Sequence, residues 1–441
     1  MFAMHPFIEA TPERALIDQQ TSISVKNIQP QETFAIQAEA LDDDNVLWIS
    51  EASFRADNNG IIDLSKQAPQ TGSYSGVEPM GLLWSMQATS NPSAIFSIKK
   101  DQLQISFKVL QNNEIIASKQ IVRLRKASNV KTIPLHENGL VGTLFLPPSQ
   151  TPLPVVVTFS GSSGGIKKEM SELLASHGFA VLALGYFGME GLPNHLLNFP
   201  IEYFETAFKW IRTQDYLDGS HIGIWGCSRG GELSLILGSW FPKDIKAIVA
   251  VVPGIAITSG EGSEKEAFYH GWSYQGKPLL KDFLEQVQIT PQATSLLEKY
   301  CHGTGRDKEH PATILQSFLE GMKNKERFNN ATIPVEKIQA PLMLIAAGDD
   351  QMWPSELFCQ LIKDRLKKYN SKIDCEHLSY PNAGHIITYP NIPEPDPVFY
   401  IPFYKMWFST GGTKSANWHA CQDSWQKLIA FFKKTLKSDK A

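Results

Sequence analysis

The sequence predicts an α/β protein in which a small all-β sandwich precedes a doubly wound, mostly parallel sheet. Three observations predict it. The first third alternates apolar and polar residues in short runs separated by turn signals. From about residue 140 onward, near-continuous apolar runs alternate with helical stretches, the pattern of a sheet covered on both faces. Between one such strand and the helix after it lies a serine flanked by glycines, Gly226-Cys227-Ser228-Arg229-Gly230.

The sandwich comes first. "SISVKNI" (Ser22 to Ile28), "TFAIQAEAL" (Thr33 to Leu41), "LWISEASFRA" (Leu47 to Ala56) and "LQISFKVL" (Leu103 to Leu110) read as strands, and "IIASKQIVRLRK" (Ile115 to Lys126) as the last of them. The polar stretch Ala127 to Gly139 reads as a hand-over, which sets the expected domains at 1–135 and 136–441. In the second domain the expected strands are Leu140 to Pro148, Pro154 to Gly161, Phe179 to Gly188, Ile222 to Gly226, Ile245 to Gly254, Pro341 to Gly348 and Cys375 to Pro381. Helices are expected over Ile166 to Ser176, Ile201 to Gln214, from Ser228, over Glu356 to Tyr369 and over Ala416 to Leu436. Residues 255–335 interrupt this rhythm as a long insertion with helix-like pieces, "PLLKDFLEQV" and "PATILQSFLEGMK". Beside a catalytic loop such an insertion reads as a lid or binding wall, or else as a plain surface excursion.

Composition narrows the function. The chain has 441 residues, 42% hydrophobic and 20% charged, enough to bury a substantial core. A net charge of -4 and a pI near 6.3 argue against nucleic acid as a partner. The five cysteines, at 227, 301, 359, 375 and 421, show no CxxC or paired spacing. That is neither a disulfide framework nor a zinc site, and it fits a reducing cytoplasm. No apolar run approaches the ~20 residues of a membrane span. The first residues lack the form of a signal peptide, and the last are not an SKL-type address. No cofactor or metal is expected.

Two neighbouring residues, Cys227 and Ser228, are potential nucleophiles. A strand-to-helix turn of this kind is too tight for side chains on either flank, so the glycines select the residue between them, Ser228. For Cys227 to be central, Trp225 and Arg229 would have to replace the flanking glycines; Cys227 reads instead as a small buried hydrophobe. A serine needs a base, and the base an orienting carboxylate, in the chain order Ser, Asp or Glu, His. "LIAAGDDQMWPS" places Asp349 and Asp350 after an apolar strand, and "LSYPNAGHIITYP" places His385 after the next. Both lie where open α/β sheets carry their ligands, beyond the carboxyl ends of strands. The plainer readings are a helix cap for the aspartates and a structural role for the histidine. His377, within a strand pattern, and His419, within a helix, are weaker choices for the base. Asp350 lies nearer the following helix than Asp349. Two amides should face the developing oxyanion, one from Arg229 and one from Ser162 in "FSGSSGG". That loop lacks the Gly-Lys-Ser/Thr ending of a phosphate-binding P-loop.

These residues carry a family resemblance that runs almost end to end. "ATPERALID", "FRADNNGIIDL" and "GVEPMGLLWSM" in the first domain, and "SGSSGG", "HGFAVLALGYFG", "EYFETAFKW", "GCSRGGELSL", "DDQMW" and "YPNAGH" in the second, resemble the acyl-CoA thioesterase / bile acid-CoA:amino acid N-acyltransferase family. The resemblance implies an α/β-hydrolase domain acting on acyl-CoA, with Ser228 as nucleophile, His385 as base and Asp350, the second aspartate of "DD", as the acid. The branch that conjugates acyl groups to glycine or taurine has cysteine at the central position. Ser228 there resembles the hydrolytic branch, an acyl-CoA thioesterase. The alternatives are an N-acyltransferase and a carboxylesterase or dienelactone-type hydrolase, which the same triad can serve. Arg229 stands where the family commonly has lysine. Lys167 and Lys168 are candidates for the phosphates of CoA, and the plainer reading makes them an exposed helix start.

Overall fold

The computed structural model describes residues 5–90, 93–260, 270–280, 301–402 and 405–436. They pack as two compact units.

The first unit holds residues 1–127 together with Thr388–Phe399 and Thr413–Gln422. Its strands are β1 (Phe7–Thr11), β2 (Arg14–Leu16), β3 (Ser22–Lys26), β4 (Thr33–Leu41), β5 (Leu47–Arg55), β6 (Ile62–Asp63), β7 (Thr71–Gly72), β8 (Gln87–Ala88), β9 (Gln102–Gln111) and β10 (Glu114–Leu124). One sheet runs β1-β3-β6, the other β2-β10-β9-β4-β5-β7 with β8 beside β5. β4 shows why these residues make a sheet face. Phe34, Ile36, Ala38 and Ala40 are buried while the residues between them are not, the period of two of a strand with one dry side. Phe107 and Val109 of β9 extend the same core.

The second unit holds Ser128–Ile387, Tyr400–Gly412 and Asp423–Ala441. Its strands include β11 (Lys131–Glu137), β12 (Leu140–Leu146), β13 (Leu153–Phe159), β14 (Ala180–Gly185), β15 (Phe199–Pro200), β16 (Leu217–Cys227), β17 (Ala247–Val251), β18 (Trp272–Tyr274), β19 (Lys277–Pro278), β20 (Leu342–Ala347) and β21 (Cys375–Tyr380). Eight of them form one sheet in the order β11-β12-β14-β13-β16-β17-β20-β21. β11, β12 and β14 pair antiparallel, and every pairing from β14 to β21 is parallel. Helices Lys168–Ala175, Glu202–Arg212, Arg229–Trp240 and Ser355–Lys368 connect the strands. The central strands are buried along both faces, which is why their sequences read as apolar runs without alternation.

The domain boundary differs from the expected 135/136. The division falls after Ala127, because β11 zips against β12 from Lys131↔Leu146 to Glu137↔Leu140. Asn138 and Gly139 make the turn, with φ of 55° and 75°, the left-handed pair of a two-residue hairpin. Two stretches near the chain's end also join the first unit. Trp418 stacks on Trp84 at 5.9 Å, and the Asn391 side-chain amide donates to the Ile17 carbonyl at 3.0 Å.

Of the long insertion, residues 261–269 and 281–300 lie outside the described residues, and with them most of the helix expected over "PLLKDFLEQV". The "PATILQSFLEGMK" piece contains helix Leu315–Gly321. Both ends of the insertion are woven into the core: Ile255, Ala256 and Ile257 are buried, as are Ala331, Ile333 and Val335.

Candidate active site

Ser228 sits at the join between β16 and the helix Arg229–Trp240, with φ 59° and ψ -122°. That is a strained backbone for a residue with a side chain, and the flanking glycines show what imposes it. A Cβ on Gly226 would lie 2.0 Å from the Gly230 carbonyl oxygen, and one on Gly230 would lie 2.6 Å from the Ser160 carbonyl oxygen. The Ser228 N–H donates to the Val251 carbonyl at 2.9 Å, tying the elbow to the end of β17.

His385 follows β21. Its Nε2 is 2.9 Å from Ser228 Oγ and its Nδ1 is 2.8 Å from Asp350 Oδ2. The imidazole thus lies between a hydroxyl and a carboxylate. In the tautomer this favours, Nδ1–H donates to Asp350 and Nε2 accepts from Ser228. Asp350 is almost fully buried, and its Oδ1 accepts the amides of Met352 at 2.9 Å and Trp353 at 3.2 Å. These bonds fix the carboxylate with one oxygen facing the imidazole. Asp349 is exposed and turns elsewhere, accepting from the Gly412 amide and the Gln351 side chain. Structure therefore brings Ser228, His385 and Asp350 together and leaves Asp349 to hold the loop. His377 faces Glu356 at 3.6 Å, and His419 pairs with Glu78 at 2.8 Å.

Cys227 keeps some exposed surface as a residue, but its thiol is enclosed. Burial pushes that thiol up to about 12, against the opposing charge of Lys167 and with a smaller push from Asp350. It is a protonated thiol at neutral pH and a poor nucleophile.

The loop after β13 runs against the elbow. A Cβ on Gly161 would lie 3.4 Å from Ser228 Cβ and 3.8 Å from the Arg229 nitrogen. The Tyr186 hydroxyl donates to the Ser160 carbonyl at 2.8 Å and holds the loop from below. Ser162, the next residue after Gly161, is exposed. Lys168 is exposed on the first turn of its helix. Lys167 is half-buried, with its amine 3.4 Å from Ser163 Oγ.

The Arg229 side chain turns into the interior. Its guanidinium is buried and donates to Glu232 at 3.2 Å, the Thr258 carbonyl at 3.2 Å and the Ser259 carbonyl at 2.8 Å. Glu232 is fully buried and also accepts from Trp272 Nε1 at 2.9 Å and Thr258 Oγ1 at 3.0 Å. Burial raises the Glu232 carboxyl, with Arg229 as the largest opposing influence. This knot fastens both described flanks of residues 261–269 to the helix Arg229–Trp240. Glu232 stands in plain view in "SRGGE", four residues after Ser228, but nothing in a linear string pairs it with Trp272. Among the described residues, no group of three or more His, Cys, Asp or Glu is arranged to hold a metal ion.

A hydroxyl at a strained turn, a base in contact with it and a buried carboxylate behind the base are the parts of nucleophilic acyl transfer. The family models and the similar proteins concern acyl-CoA thioesters. Residues 199–438 match the model described as BAAT / acyl-CoA thioester hydrolase C terminal, and residues 18–137 match acyl-CoA thioester hydrolase/BAAT N-terminal region. The chain is 30% identical over 440 residues to acyl-coenzyme A thioesterase 6 of Mus musculus, covering 97% of this chain and 96% of that one. It is 29% identical over 440 residues to the peroxisomal succinyl-coenzyme A thioesterase of Mus musculus, covering 96% and 95%. Among solved structures it is similar to a hyperthermophilic esterase from the archaeon Pyrobaculum calidifontis, at 15% identity and a TM-score of 0.37 over 70% of this chain and 86% of that one. Matched by family models in both of its parts and by relatives along nearly its whole length, the chain belongs to the acyl-CoA thioester hydrolase/BAAT family.

Proposed function

We propose that this protein hydrolyses acyl-CoA thioesters to free acid and CoA, with Ser228, His385 and Asp350 as its catalytic triad. The observation that carries the reading is the pair of contacts on one imidazole, 2.9 Å to Ser228 Oγ and 2.8 Å to Asp350 Oδ2. In the first step Ser228 Oγ attacks the thioester carbonyl as its proton passes to His385 Nε2. Asp350 holds the Nδ1–H tautomer and stabilises the imidazolium as it forms. The oxyanion is met by the amides of Arg229 and Ser162. Collapse breaks the carbon–sulfur bond, and the departing CoA sulfur takes the proton from His385. Water, deprotonated by the same Nε2, then attacks the acyl-serine and releases the acid with Ser228 restored.

Four further observations accompany the reading. The enclosed Cys227 thiol leaves the serine as the reactive neighbour. The Arg229 guanidinium is engaged in the interior, so its main-chain amide is the group it presents at the elbow. All five cysteines carry thiols, as a reducing cytoplasm would keep them. No helix among the described residues is long and apolar enough to cross a membrane.

The test is thiol release by purified protein across acyl-CoAs from acetyl to palmitoyl and succinyl, with Ser228→Ala alongside. Each runs with and without glycine or taurine, and products are identified by mass. Free acid from the wild type alone, unaffected by the amines, is the expected result. Acyl-glycine or acyl-taurine would make the protein a transferase. No CoA release from any thioester would overturn the substrate assignment. Recovery of the protein in an organelle pellet on cell fractionation would overturn the cytoplasmic one.

A further inference from the structure

One residue of the "DDQMW" motif touches both Asp350 and His385 and also the segment after β17 that supports the Ser228 turn. Trp353 is buried, with about 5% of its surface exposed. Its main-chain N–H donates to Asp350 Oδ1 at 3.2 Å. Its indole ring meets the His385 imidazole nearly edge to face, with centroids 5.3 Å apart and planes at 83°. Its indole N–H donates to the Val252 carbonyl at 3.0 Å. Phe318 packs against the same indole, with centroids 5.5 Å apart.

The Val252 contact is the unexpected one. Val252 directly follows Val251, whose carbonyl receives the Ser228 N–H. Its φ is +38°, a backbone state that a β-branched residue rarely adopts. Such a state persists only where its surroundings hold it in place. Two bonds hold this one: the Val252 N–H donates to the Ile345 carbonyl at 2.7 Å, and the Val252 carbonyl receives the indole. Trp353 therefore braces the support beneath the nucleophile with one edge and confines the base with the ring.

We propose that Trp353 is a positioning residue that holds the His385 imidazole in line between Ser228 Oγ and Asp350 Oδ2. It touches no substrate and moves no proton. An imidazole of this kind turns readily about its side-chain bonds unless a neighbour blocks the turn. Rotation out of line breaks the contact with Ser228 and leaves the serine without a base. A misplacement of about 1 Å at such a centre costs on the order of a hundredfold in rate. The inference rests on the assignment of Ser228, His385 and Asp350 to catalysis.

Two variants test it. Trp353→Phe keeps a ring against His385 and removes the donor to Val252. Trp353→Leu removes both. Active sites are counted by titration with a fluorophosphonate, so that loss of folded protein does not count as loss of rate. The low-field proton resonance of a His–Asp hydrogen bond is followed by NMR, which needs no turnover. Trp353→Leu is expected to lower kcat per titrated site ~100-fold at nearly unchanged KM and to broaden or abolish the resonance. Trp353→Phe is expected to lower kcat several-fold and keep the resonance. A leucine variant with kcat per site within threefold of wild type, or with an unaltered resonance, overturns the proposal. Should the leucine variant not fold, the phenylalanine variant decides alone, and a kcat equal to wild type overturns it. A wild type that neither hydrolyses acyl-CoA nor reacts with the phosphonate refutes the role of Ser228; the resonance comparison still judges Trp353.

Discussion

Replacing Asp350 by asparagine leaves the side chain's shape almost unchanged and should still abolish turnover. The reason lies in how the carboxylate is held. Its Oδ1 receives two amides, from Met352 at 2.9 Å and from Trp353 at 3.2 Å. An asparagine keeps those bonds only by placing its carbonyl oxygen there. Its NH2 group then faces His385 Nδ1, where Oδ2 stood at 2.8 Å. An NH2 group donates, so Nδ1 must become an acceptor and the ring proton must move to Nε2. Nε2 then presents a proton to Ser228 and cannot take one away. Freezing the base in the wrong tautomer costs on the order of 10⁴ in kcat, or about 5 kcal/mol of transition-state stabilisation. Asp349→Asn serves as the control. Asp349 is exposed and touches neither His385 nor Ser228, so its variant should stay within about threefold of wild type. The assay is CoA release at saturating acyl-CoA, with thermal unfolding to confirm the fold. An Asp350→Asn enzyme retaining a tenth of wild-type kcat, or equal losses in the two variants, would refute the tautomer argument.

Other perturbations have equally definite outcomes. Cys227→Ala should keep activity within about threefold, and iodoacetamide at pH 7.5 should leave the wild-type enzyme active, because burial holds the Cys227 thiol near 12; inactivation traced to alkylated Cys227 would contradict this. Lys167→Ala should raise KM several-fold for acyl-CoA but not for an acyl-N-acetylcysteamine thioester, which lacks the phosphates, and Lys167→Arg should restore it; equal effects on both substrates would remove Lys167 from phosphate recognition. Glu394 is fully buried, and burial pushes its carboxyl from 4.5 to about 8 against the pull of Lys414 and Cys421. The folded chain thus holds this proton more tightly than the unfolded chain, so its contribution to stability is complete below about pH 4.5 and is lost as pH rises through about 8, by a few kcal/mol at most. Glu394→Gln should flatten that fall in unfolding experiments across the same window, and an unchanged slope would mean that the group does not titrate there.

What could be read in the sequence and what could not divide along a physical line. Strands such as Thr33–Leu41 and helices such as Glu202–Arg212 follow local periodicity, because each residue's burial depends on the direction of its own element. The strand-to-helix turn that presents Ser228 is equally legible. The need for Gly226 and Gly230 arises within the five residues of the turn itself. The hairpin at Asn138-Gly139 carried its own local signal, the asparagine–glycine pair, which the polar composition around it obscured. Asp349 and Asp350 differ locally only in that Asp350 lies one residue nearer the following helix. Resemblance pointed to Asp350, and what separates the two in the fold is which carboxylate the amides of Met352 and Trp353 turn toward the imidazole.

The contacts made at long range left no such trace. Arg229 reads in the sequence as an amide beside Ser228, and nothing in the string says where its guanidinium goes. Its actual partners are Glu232, one turn along the helix, and two carbonyls about thirty residues further on. Trp353 reads as one more aromatic in a loop, yet its indole donates to the carbonyl of Val252, 101 residues earlier in the chain. The groups proposed to perform acyl transfer are marked by the turns that present them. The groups that hold those turns in place are marked by nothing but where the chain returns. For that reason a strained valine, invisible in an apolar string, points to the brace beneath the nucleophile more directly than any motif does.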